Sequence, residues 1–150
     1  MLRVRQRFDT TPPVDVEASV AAGFAAIREQ LKPGMRIAVG VGSRGISNLA
    51  KIVVAVIGEL KNAGVEPFII PAMGSHGGAT PEGQAQLLAG YGVTEASMGV
   101  PVCASMEVES LGQMDDGQEV LWSCEALAAD GVIVINRVKP HTSFSRPVGS

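Results

Sequence analysis

Basic excess, cysteine pairs, long apolar runs and histidine are all scarce in this chain. Twelve lysines and arginines against 15 aspartates and glutamates leave a net charge of −3, so there is no electropositive footprint for a nucleic-acid backbone. A chain of this size needs no disulfide framework, and Cys103 and Cys124 lack the CxxC spacing of metal or redox motifs, so they read as small buried hydrophobes in a reducing compartment. No stretch approaches the roughly 20 apolar residues of a membrane span. The charged start Met1-Leu2-Arg3-Val4-Arg5 has no apolar region behind it to act as a signal, so a cytoplasmic protein is expected. Repeats, low-complexity tracts and linkers are also missing. What remains is 46% hydrophobic residues and only 18% charged ones over 150 positions, the composition of one folded domain with a single core and a small-molecule ligand.

Apolar β-branched runs alternate with capped helical patterns. Leu2 to Phe8 alternates like an edge strand. Asp15 can cap a helix from about Val16 to Leu31, whose Val16, Val20, Phe24, Ile27 and Leu31 share one face. Arg36–Val41, Val65–Ile70 and Val132–Val138 are expected as parallel strands, and Val132-Ile133-Val134-Ile135 is apolar on both sides as a doubly covered strand should be. Helices are expected from Ser47 or Asn48 to Ala63, closed by Gly64, and from Thr80-Pro81 to Tyr91-Gly92. Between Met106 and Trp122, the Asp116-Gly117 pair marks a β-hairpin, followed by a short helix from Ser123 to Ala129. The sum is a Rossmann-like three-layer α/β sandwich with a mainly parallel sheet and an added hairpin.

Both histidines follow expected strands. His76 lies in Gly74-Ser75-His76-Gly77-Gly78-Ala79-Thr80 and His141 in Lys139-Pro140-His141-Thr142-Ser143-Phe144. Loops leaving the carboxyl ends of parallel strands form the ligand crevice of such folds, and two imidazoles there suit proton transfer near neutral pH. Gly40-Val41-Gly42-Ser43-Arg44-Gly45 formally matches the G-x-G-x-x-G of dinucleotide sites, although Glu66 lies near the beginning of the second strand, away from where a ribose-binding acid belongs. Without a dinucleotide, Arg44 still offers a planar fork for a carboxylate or phosphate. A nicotinamide-dependent oxidoreductase domain and a non-catalytic anion-binding module are therefore alternatives on these residues alone.

Taken together, Gly40 to Asn48, Met73 to Glu82 and Asn136 to Phe144 resemble the N-terminal domain of the nickel-pincer-nucleotide-dependent lactate racemase family, in its branch with a Lys-Pro-His-Thr-x-Phe segment. The resemblance implies a two-domain enzyme that racemises or epimerises a small 2-hydroxy acid by passing the Cα hydride to the cofactor and back. It implies His76 and His141 as the acid/base pair, Arg44 with Ser43 and Lys139 around the substrate, and Gly42, Gly45, Gly77 and Gly78 beside the cofactor. The chain departs from the pattern in having Val41 where the family carries an aspartate, and Arg146 where a glycine is expected. The family's cofactor-bearing lysine and metal-binding histidine lie beyond the His141 motif. The expectation is thus an N-terminal portion that lacks its C-terminal partner domain and, alone, neither holds the cofactor nor turns over substrate.

Overall fold

The computed structural model describes residues 4, 5, 7, 12–43 and 45–137. Three parallel strands make one sheet in the order β2-β1-β5: β1 Arg36–Val41, β2 Glu66–Pro71 and β5 Gly131–Ile135. All three expected parallel strands thus share a sheet. The hairpin forms a separate antiparallel pair, β3 Val108–Gln113 and β4 Glu119–Ser123, turned at Gly117. The helices are α1 Val16–Ala25, α2 Leu49–Asn62, α3 Pro81–Gly90, α4 Glu95–Met98 and α5 Cys124–Leu127. This is a Rossmann-like α/β arrangement.

The strand period of two sends alternate residues to opposite faces. On one face Ile37, Val39 and Val41 of β1, Ile69 of β2 and Ile135 of β5 meet Phe24 of α1, Leu88 of α3, and Leu49, Val53, Val56, Ile57 and Leu60 of α2. The α2 residues recur at four, three, one and three positions and so form one stripe. The other face is thinner: Ala38, Phe68 and Ile70 pack with Ala126 of α5, and Cys103 and Ala129 lie against them.

Pro67 is tolerated inside β2 for a reason visible in the ladder. Glu66 N donates to Met35 O (2.7 Å) and Ala72 N to Val41 O (2.9 Å), so even-numbered amides face β1. The missing N–H of Pro67 belongs to the odd-numbered set, with Ile69 N, which bonds Pro101 O at 2.9 Å on the far side.

Several boundaries differ from expectation. The first helix stops at Ala25 and becomes a 3₁₀ turn at Arg28–Gln30, because after Gly23 the backbone bonds tighten from i−4 to i−3 partners (Ala26 N to Gly23 O, Ile27 N to Phe24 O). Ile27 and Leu31 still pack on the core. Asn48 precedes α2 but sits at φ +57° and makes no side-chain cap. The second strand runs from Glu66 to Pro71, one residue later than expected. The last strand stops at Ile135, and its Val132 and Val134 are 39% and 61% exposed, so it is covered on one face only. The turn Thr94 to Met98, whose Thr94 and Ser97 form a reciprocal cap, and the parallel bridge from Ile69 to Val102 were not foreseen. Within the expected N-terminal edge strand, Val4, Arg5 and Arg7 belong to no strand, and its other residues lie outside those described.

Candidate functional site

The parallel register sets Val41 opposite both Pro71 and Ile135, so the segments that follow β1, β2 and β5 leave from one edge of the sheet. They are stitched together there. Gly42 N donates to Ile135 O at 2.9 Å, and a Cβ on Gly42 would lie 3.2 Å from that oxygen and 2.9 Å from Asn136 Oδ1, so any larger residue would have to push the Asn136 side chain aside and ease the backbone apart. Arg137 donates from Nη1 to Gly45 O at 3.3 Å, joining the β5 end to the β1 loop.

The loop after β2 is held against α3. Thr80 caps the helix by accepting from Gly83 N (3.1 Å) and donates back to Gly77 O (3.3 Å). Buried Gln84 reaches from the first turn of α3 to donate to Gly74 O (2.8 Å) and His76 O (3.3 Å). Gly77 has φ +65°, and a Cβ there would fall 2.5 Å from the backbone carbon of Gly83. The loop and the helix start are in direct backbone contact as a result.

These two constructions bring His76 to Ser43. The serine Oγ lies 2.5 Å from His76 Nδ1. Ser43 is 4% exposed, while the imidazole is half-buried beside a cleft of about 420 Å³ lined by Ser43, Ser75, His76, Gly77, Leu87 and Tyr91. With Nδ1 occupied, Nε2 is the ring nitrogen left for a ligand. In a hydrolytic triad the serine faces Nε2 and a carboxylate holds Nδ1. Here the serine takes Nδ1, and no carboxylate among the described residues bonds the ring, so the pair suits proton exchange at Nε2 better than acyl transfer.

Of the expected site residues, Ser43 and His76 are in contact. Gly42, Gly45 and Gly77 lie in the stitched backbone just described, and Gly78 faces open space. Arg44, Lys139 and His141 lie outside the described residues. Gln84, Leu87, Tyr91, Asn136 and Arg137 are the residues that sequence reasoning did not place in the site. Gln84 and Leu87 read simply as helix positions, and Arg137 as an ordinary basic strand end.

The dinucleotide alternative fares poorly. Three residues, Ile46 to Asn48, separate the last glycine of the first loop from α2, whereas the dinucleotide fingerprint opens its helix at the glycines. Glu66 pairs with Arg36 at the opposite end of the sheet from the cleft. Among the described residues, no three or more His, Cys, Asp or Glu gather as a metal site. No described helix is long and apolar enough to cross a membrane.

No curated protein and no solved structure matches the chain. A family model does, over residues 13–145, a span that contains every strand and helix above and both histidine loops. The chain accordingly belongs to the lactate racemase N-terminal domain family.

Proposed function

We propose that this domain supplies substrate binding and proton transfer to a racemase or epimerase of small 2-hydroxy acids, with a nickel-pincer nucleotide as hydride carrier. The observation that carries the reading is the pairing of buried Ser43 with His76 on the wall of a carboxyl-edge cleft, within a family named for lactate racemisation. Interconverting enantiomers of a 2-hydroxy acid requires that hydrogen leave Cα and return on the other face. The nucleotide would supply the hydride acceptor. The chain's own residues handle the rest: His76, and His141 from the other histidine loop, take the hydroxyl proton as the 2-oxo group forms and return it afterwards.

Arg44 suits the substrate carboxylate, since a guanidinium fork matches its two oxygens, and Lys139 adds a second positive charge. Leu87 and Tyr91 give the cleft an apolar wall against which a short carbon chain can rest. The described residues offer no ligand set for nickel, and two histidines without a third ligand make a poor nickel site, so residues 1–150 alone are expected to bind no stoichiometric nickel. The same reasoning calls for a partner domain facing the cleft.

Isotope retention tests the reaction class. The longest natural chain containing this domain, loaded with cofactor, is given one enantiomer of lactate deuterated at C2. Hydride transfer keeps the deuterium at C2 of both product enantiomers. Wash-out of the label into water would mean abstraction of the Cα proton instead, and would remove the hydride reading.

A further inference from the structure

We propose that Ser43 is the positioning residue of His76: its hydroxyl holds Nδ1, leaves Nε2 as the working nitrogen, and by turning sets whether Nε2 carries a proton. The functional meaning rests on the racemase reading above, whereas the tautomer itself does not. The warrant is burial combined with a count of protons. Ser43 Oγ has one hydrogen-bond partner among the described residues, His76 Nδ1, and the serine is only 4% exposed, bordering the cleft. A hydroxyl has one proton to give, and a neutral imidazole has one donor nitrogen and one acceptor. Leaving a buried hydroxyl proton without an acceptor is unfavourable. Before substrate enters, the serine therefore donates to Nδ1, and the ring proton sits on Nε2.

In that form His76 is a hydrogen-bond donor toward the cleft and has no lone pair there with which to act as a base. A 2-hydroxy carboxylate changes the balance, because its anionic oxygens are better acceptors than a neutral ring nitrogen. Ser43 lines the cleft, so its O–H can turn to such an oxygen. Nδ1 then takes up a proton from solvent and donates to Oγ, while Nε2 releases its proton to solvent. The ring stays neutral, the serine keeps its proton, and the Nε2 lone pair meets the substrate hydroxyl. Substrate thereby prepares its own base. A carboxylate in place of Ser43 could only accept, and would lack this response.

The experiment is ¹⁵N NMR of the imidazole in residues 1–150, at a pH where the ring is neutral. The chain has two histidines, so a His141→Gln background isolates His76. The expected result is a protonated Nε2 without ligand and a shift to protonated Nδ1 on saturation with lactate. Ser43→Ala should remove both the bias and the response, with an otherwise unchanged amide spectrum, and Ser43→Thr should restore them. A protonated Nδ1 before lactate is added, a tautomer indifferent to lactate, or a Ser43→Ala ring that behaves as the parent would each overturn the proposal. In the cofactor-loaded longer chain, Ser43→Ala should lower kcat about 10–100-fold, the scale seen when the partner of a metal-bound histidine's other nitrogen is lost, and should raise KM because the hydroxyl's bond to the substrate carboxylate goes with it. Loss of the deuterium label would dismiss the hydride reading and leave the tautomer result standing. An unresponsive tautomer in an enzyme that still needs His76 would dismiss Ser43 alone.

Discussion

The two faces of the parallel sheet are built differently. One carries a continuous core from Phe24 through the α2 stripe to Leu88, and the other only the small cluster around Ala38, Phe68, Ile70 and Ala126, with Val132 and Val134 open to solvent at the β5 end. The closed face supports the site: α3 packs there through Leu88, and its first turn holds the His76 loop through Gln84 and Thr80. Rigidity of the histidine therefore derives from the face remote from β5's exposed valines. The contrast teaches that an apolar run does not by itself guarantee cover on both sides.

Truncating the closed face should do the most damage. Leu60 is fully buried in α2, and Leu60→Ala is expected to cost about 2–5 kcal/mol in urea unfolding, the range for a leucine that leaves a cavity. Next comes the joint between closed face and site. Gly77→Ala forces a side chain into backbone at a positive φ, which should cost about 1–3 kcal/mol and weaken the Ser43–His76 contact, seen as a changed His76 tautomer. On the open face, Val134→Ser should alter stability by no more than about 0.5 kcal/mol. A cost for Val134→Ser near that of Leu60→Ala would erase the distinction between the faces.

A pH measurement sharpens the same contrast within the thin cluster. Cys103 lies against it, and burial pushes its thiol up from the ordinary value, with Glu125 and Glu95 adding to the rise and Arg36 opposing it. Because the folded state holds the thiol proton more tightly than the unfolded chain, this contribution to stability is present below the usual thiol range and is lost as pH rises through the raised value. Alkylation of Cys103 by iodoacetamide should thus be slower in the folded protein than in urea, with its rate rising at a more alkaline pH. An alkylation profile identical to that of the unfolded chain would show that the cluster does not shield the thiol.

Much of this was legible in the sequence because it is local. The β-branched runs of β1, β2 and β5, the Thr80-Pro81 helix start, the Gly64 stop and the Asp116-Gly117 hairpin each announce themselves within a few residues. The conversion of the first helix to a 3₁₀ turn after Gly23 is a matter of which carbonyl each amide selects, and apolar spacing is the same either way. Cover over Val132 and Val134 depends on what packs across the sheet, which no property of β5 reports. In the site, the strand-end loops marked Ser43 and His76 as candidates, but their contact joins positions 33 apart through Gln84 and the parallel register. Neither histidine motif contains that information.

The most direct test of the account is the racemisation rate of the cofactor-loaded longer chain when its histidines are replaced one at a time. His76→Ala and His141→Ala are each expected to lower kcat about 10²–10⁴-fold, the contribution of a positioned acid or base, with KM less affected. Near-normal turnover after both replacements would contradict the assignment of proton transfer to this cleft.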